Sequence, residues 1–196
     1  ADIEKMSQAG VVAGYVDQFK PRNNATRAEA ASMIRRALHK ETKAAPSEQD
    51  LIQWMTTWND ANNNLTQEKK FDELAIFYQD NTTAFAQAIG LSSVDDLKQL
   101  DAQLKSVGAS FDLKVTGTAE YKVKFASDRY AAVEITGQTG EVTVTDKDGN
   151  TNTQSQSIAE TYLLRKMDGA WNVYGGESEY QMFVDMIMNP DDSSEA

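Results

Sequence analysis

The hydrophobic pattern changes period near residue 111, and that change constrains the fold more than any other feature of the chain. Up to Gly108 the apolar residues recur at helical spacing, and from Phe111 onward they alternate. Leu51, Trp54, Met55 and Trp58 stand at i, i+3, i+4 and i+7, one face of a helix with Ser47 as its cap and Asn62-Asn-Asn64 as its expected break. Thr66 is placed to cap a second helix carrying Phe71, Leu74, Ala75 and Tyr78. Ser93, with Asp96 three residues on, opens a third that runs through Leu97, Leu100, Leu104 and Val107 to Gly108. Beyond it, Phe111–Val115, Ala119–Phe125, Ala131–Ile135, Glu141–Thr145 and Ser155–Lys166 read as strands. Asp168-Gly169 is the strongest hairpin signal, joining Thr161–Met167 to Ala170–Tyr174. Helices followed by long antiparallel strands define the α+β class.

A separate unit precedes this pattern. Thr26 stands three residues before Glu29, a capping box in which each residue can satisfy the other's amide. Ala30, Met33, Ile34, Ala37 and Leu38 then form one stripe expected to be buried, with Arg35 and Arg36 off it. Upstream, Ile3 and Met6 suit a short helix ending at Gly10, and Gly14 and Pro21 impose a turn plugged by Phe19. The local reading is a helix–loop–helix hairpin. Taken alone, Thr26-Arg27-Ala28-Glu29 is only a helix start.

The ordered set is more specific. Gly10-Val-Val-Ala-Gly14-Tyr15, Asp17-Gln-Phe19-Lys-Pro21 and Thr26-Arg27-Ala28-Glu29-Ala30 together resemble an S-layer homology (SLH) repeat, a bacterial surface module that holds proteins on anionic polysaccharide of the cell wall. The resemblance covers about residues 1–40 and implies an extracellular, wall-attached protein. It implies Arg27 as the polymer-contacting residue, with Thr26 and Glu29 as structural cap. A guanidinium at a helix N-terminus suits carboxylate or phosphate, because its planar fork is backed by free amides and the positive dipole end. The family normally carries three tandem repeats that complete the binding grooves together. One is legible here, without the aromatic and acidic residues that open a repeat, so it reads as the last repeat of a longer anchor.

The later chain carries a second resemblance. Phe71-Asp-Glu-Leu-Ala75-Ile-Phe77-Tyr78-Gln-Asp80 and Tyr162-Leu-Leu-Arg-Lys-Met-Asp168-Gly169-Ala-Trp171-Asn-Val173-Tyr are similar to the second helix and closing hairpin of the cone-shaped fold shared by nuclear transport factor 2, ketosteroid isomerase and the SnoaL-type proteins. It covers about residues 47–178 and implies three helices and a curved antiparallel sheet around a pocket. The candidate lining is Trp54, Trp58, Tyr78, Tyr121, Tyr162 and Trp171, although large rings fill cores more often than they line sites. The organisation expected is an incomplete SLH-type unit at 1–40, a linker at 41–46, the cone domain at 47–178, and an amphipathic helix with a polar tail at 179–196. In that last helix Tyr180, Phe183, Val184 and Ile187 share a face beside Met182, Met186 and Met188, and capping its own domain is the expected role.

No acid–base pair is legible in the cone domain. Asp80 is expected to be solvated, Glu134 and Glu160 to point outward from their strands, and His39, the sole histidine, lies in the basic arm. Asp146-Lys-Asp148-Gly149-Asn150 lacks the acid spacing of a calcium loop and reads as a β-turn. Zero cysteines exclude disulfides and thiol chemistry, and no apolar run is long enough to span a bilayer. No secretory signal is legible, and a start at Ala1 suits a processed chain.

The net charge of −11 is uneven: residues 1–45 carry eight basic and five acidic side chains, and the remainder eleven and twenty-five. A basic arm on an acidic body suits an anionic partner. It lacks the dense basic stripe of a nucleic-acid surface. The reading is a wall-attached, non-catalytic protein without metal or cofactor. Its cone domain would bind a ligand or protein, or form a homodimer through its sheet. The alternative is a small-molecule carrier or an isomerase- or hydrolase-like enzyme using the cone cavity.

Overall fold

The chain divides into two units, Ala1–Ala45 and Pro46–Ala196. The computed structural model describes residues 26–38 and 44–188, apart from the side chains at 37, 38, 183 and 186–188. The expected Ile3–Gly10 helix, the Gly14–Pro21 turn with Phe19, His39 and the tail after Pro190 lie outside the described residues. No helix among the described residues is long and apolar enough to cross a membrane.

In the first unit, α1 (Arg27–Leu38) begins at Thr26 and places Arg35 and Arg36 in its last turn, where cations offset the negative end of the helix dipole. Its stripe is less covered than expected. Ala30 and Met33 are half-buried, but Ile34 is 59% exposed. Periodicity fixes which face is apolar and not whether a neighbour covers it.

The second unit opens with α2 (Glu48–Gln67), α3 (Phe71–Asn81) and α4 (Ala84–Ser106). The strands β1 (Ser110–Ala126), β2 (Tyr130–Thr145), β3 (Thr151–Met167) and β4 (Ala170–Gly176) follow, and α5 (Glu177–Met188) closes it. With α1, the described residues form an α+β protein of five helices and one open antiparallel sheet in the order β1-β2-β3-β4. Leu51, Met55 and Trp58 of α2 pack on Ala131, Val133, Ile135, Leu164 and Val173 of the sheet. Phe71, Leu74, Val94 and Phe111 form a second core where α3 and α4 meet β1.

Helix boundaries depart from the sequence reading, each through a tertiary contact. The Asn62–Asn64 run does not break α2, which continues to Gln67. Asn62 accepts the Tyr78 hydroxyl at 2.8 Å, and the Gln67 carboxamide accepts the Val115 amide at 2.9 Å. These bonds outweigh a weak local propensity. Thr66 therefore lies inside α2, and α3 starts at Phe71 behind Lys70, which makes no side-chain cap bond. Lys69, at φ +53°, turns the corner and sends its ammonium to the Phe111 carbonyl. The third helix begins at Ala84 rather than Ser93, its start tied to β4 by the Thr83 amide on the Val173 carbonyl at 2.9 Å. Gly90 inside α4 is not a breaker: a Cβ there would lie 2.8 Å from the Tyr78 ring, so the glycine admits the tyrosine.

The strands merge as well. Two expected segments join into β1 and two into β2, because the intervening glycines bulge the strands instead of ending them. Gly117 (φ +84°) and Gly137 (φ +82°) face each other where the β1–β2 register shifts. At Asp168-Gly169 both residues have positive φ, 50° and 90°, as a type I′ hairpin turn requires. Between β2 and β3 the Asp146 carboxylate accepts the amides of Asp148 and Asn150, at 2.9 and 2.8 Å, and so closes a turn. Asn150 Nδ2 donates to the same carboxylate at 2.8 Å, and this bond, ahead of the backbone ones, holds the carboxyl below the usual range. No cluster able to hold a metal ion occurs among the described residues.

Candidate functional site

At the start of α1 the Thr26 amide donates to Glu29 Oε2 at 2.8 Å, and the Glu29 amide donates to Thr26 Oγ1 at 3.2 Å. The threonine hydroxyl also donates to the same carboxylate, at 2.9 Å. Two orphan amides of the first turn are thus satisfied by side chains. Arg27 is the first helical residue and is exposed, so its guanidinium is open to a partner from solution at the positive end of the dipole.

In the second unit the six candidate rings converge on one core. Trp58 is buried, and Trp54, Tyr78, Tyr121, Tyr162 and Trp171 are partly buried against the same cluster. Trp58 sits 5.6 Å from the Phe77 ring and 5.2 Å from the Tyr162 ring, centroid to centroid. Among the candidates only Trp54 and Trp58 line the groove between α2 and α3, a cavity of about 340 Å³. Phe77 of α3 completes its apolar wall, and Asp50, Gln53, Thr57 and Asn81 supply polar groups. The other four candidates are half-buried against the core cluster.

That interior holds polar groups the sequence reading did not single out. Asn59, 4% exposed, donates through Nδ2 to Gln138 Oε1 at 3.1 Å and to the Tyr121 hydroxyl at 3.2 Å. The signal was present in the sequence: Asn59 and Asn62 fall where the stripe of Leu51, Met55 and Trp58 continues, and Asn59 is buried and Asn62 half-buried on that face of α2. A buried amide persists only with partners, and here a sheet residue provides one.

The carboxylates separate. Asp80 is exposed, and Glu134 pairs with Lys124 at 3.0 Å. Glu160 departs from the outward expectation. It is the register partner of buried Ile135 and so shares its face. Its carboxylate accepts the Thr161 amide at 2.8 Å, the Ser178 amide at 3.2 Å and the Ser178 hydroxyl, and thereby anchors the start of α5. Tyr180 of α5 lies on Gly175, where a Cβ would meet its ring at 2.2 Å.

Burial, with Glu179 second, pushes the Tyr78 phenol up to about 12, and burial raises Tyr162 as well. Both rings are therefore neutral at physiological pH, and the Tyr78 hydroxyl donates to Asn62. The folded state favours the protonated phenol, so this stabilisation is complete below the ordinary tyrosine pKa and is lost as pH rises through the folded value. For Tyr78 the loss between about pH 10 and pH 12 should approach ~2–3 kcal/mol. Urea unfolding across that range should show it, and Tyr78→Phe should flatten that share of the decline.

Residues 1–31 match the family model of the S-layer homology domain. No curated protein gives a match. Three solved structures illustrate what the chain is similar to. The intermembrane space region of the chloroplast protein ARC6 is 13% identical over 67% of this chain and 95% of that one, with a TM-score of 0.47. Aln2 from a Streptomyces species is 14% identical over 71% of this chain and 98% of that one, at a TM-score of 0.41. A putative calcium/calmodulin dependent protein kinase II association domain from Xanthomonas campestris is 16% identical over 69% and 91%, at 0.30. The SLH match suggests non-covalent attachment to a bacterial cell wall and a place at the cell surface.

Proposed function

We propose that this chain is a secreted bacterial surface protein held on anionic cell-wall polysaccharide by its SLH-type unit, with Arg27 in contact with the polymer. The second unit would be a cone-fold domain displayed outside the cell for binding rather than chemistry. The observation that carries the reading is the SLH match over residues 1–31, which runs through Arg27 and the Thr26–Glu29 pair. The net positive charge of residues 1–45 supports it, since the rest of the chain would repel an anionic polymer. A binding role for the second unit is supported by Glu160, whose carboxylate is engaged by three donors. An isomerase or hydrolase would want a carboxylate free to exchange a proton.

Co-sedimentation of the full chain with purified wall sacculi tests the attachment. Binding should be saturable and should disappear when the anionic polysaccharide is stripped from the sacculi with acid. Failure to sediment with intact sacculi would overturn the wall-binding reading.

A further inference from the structure

The groove between α2 and α3 has a chemistry that attachment to the wall does not use. Its apolar wall is Trp54, Trp58 and Phe77, and its rim mixes acceptors with the side-chain amide donors of Gln53 and Asn81. The Thr57 hydroxyl spends its proton on the Gln53 carbonyl at 3.0 Å, which leaves its lone pairs to accept. Asn81 donates through Nδ2 to the Phe77 carbonyl at 3.0 Å, so its Oδ1 is the group left to accept. Asp50 adds a carboxylate on the exposed first turn of α2. The indole N–H of Trp58, in a residue only 6% exposed, is buried without an acceptor. A buried unpaired donor is costly and calls for a reason.

We propose that this groove binds an uncharged sugar ring. A pyranose presents C–H faces that lie on indole and phenyl rings, and a rim of hydroxyl donors that matches acceptors at Asp50, Thr57 and Asn81. The volume, about 340 Å³, is at the small end of ligand pockets and accommodates one ring with the chain continuing outward through the open side. Charge then chooses among ligands of similar size. Asp50 is the one charged group of the lining, which disfavours the anionic polymer that Arg27 would hold. A quaternary ammonium would be drawn to the rings, but its cationic head carries no N–H and leaves most of the rim's acceptors unused. The assignment rests on the reading of the second unit as a binding domain and is independent of wall attachment.

Calorimetric titration of the full chain with chitotriose, an uncharged sugar trimer, tests it, with cellotriose, glucuronic acid and choline as parallel probes. Chitotriose or cellotriose should bind saturably and more tightly than glucuronic acid or choline. Trp54→Ala should weaken binding by about tenfold or more, while Trp54→Phe, which keeps a flat apolar face, should recover most of it. Circular dichroism of both variants confirms that the fold is retained. Arg27→Ala should leave sugar binding unchanged whatever it does to sacculus binding, so failure of one proposal is visible apart from failure of the other. No heat of binding from either neutral trimer up to about 10 mM would overturn the proposal. So would equal affinity in Trp54→Ala, which would move the site elsewhere, or tighter binding of glucuronic acid or choline, which would change the ligand class.

Discussion

Gly137→Ala and Gly117→Ala should each lower the stability of the second unit by ~3 kcal/mol or more, enough to shift a urea unfolding midpoint far outside error. Two costs add. Both residues have φ above +80°, where a Cβ crowds its own backbone and costs ~1–2 kcal/mol. In addition, a Cβ at Gly117 would stand 2.3 Å from the Gly137 carbonyl oxygen, and one at Gly137 would stand 2.4 Å from the Thr118 carbonyl oxygen. Those neighbours are backbone atoms of paired strands and cannot swing aside as a side-chain tip would. Relief would require the paired bulges to open, and with them the ladder between Thr116–Thr139 and Glu120–Thr136. Gly149→Ala is the internal control. Its φ is +85°, but nothing lies within 4 Å of the added Cβ, so only the conformational cost of ~1 kcal/mol should remain. Equal losses at Gly149 and Gly137 would show that the close approach of the bulges contributes nothing.

Arg27→Ala should weaken binding to anionic wall polysaccharide by about tenfold to hundredfold, the equivalent of a charge-assisted hydrogen bond of ~1.5–3 kcal/mol. The exposed guanidinium stands at the first position of α1, where dipole and free amides add to its own charge. Arg27→Lys should recover only part of the affinity, because an ammonium keeps the charge but loses the bidentate fork. Glu29→Ala should act through the helix instead. It removes the carboxylate that accepts the Thr26 amide and hydroxyl and should cost ~1 kcal/mol of helix stability. Sedimentation with sacculi at two salt concentrations separates the effects, since the Arg27 contribution should shrink at high salt. Equal sedimentation of wild type and Arg27→Ala at moderate salt would remove this residue from the polymer contact.

Legibility in the sequence followed the distance over which each feature is satisfied. The change of period at Phe111, the alternation of the strands and the turn at Asp168-Gly169 all express backbone geometry within a few residues, and the α+β class follows from them. Bonds such as Thr26–Glu29 span three residues and need no tertiary partner. Helix α2 passes through its asparagines because Asn62 and Asn59 find Tyr78 and Gln138, the latter 79 residues away, and no local rule could supply those partners. Gly90 admits a ring from α3 and Gly117 admits a neighbouring carbonyl, so neither ends its element as an isolated glycine suggests. The six candidate rings could be read from the sequence as apolar positions, but which of them line a groove depends on how α2 and α3 sit together. Trp54 and Trp58 reach it, with Phe77 opposite, while Tyr78, Tyr121, Tyr162 and Trp171 pack half-buried against the core. The sequence by itself determined the class of the fold, the turns at Asp146–Asn150 and Asp168-Gly169 and the resemblance at its N-terminal end. Tertiary packing decided element lengths, the inward turn of Glu160 and the lining of the groove, because burial of a polar group or a ring is settled by partners that are distant in the chain.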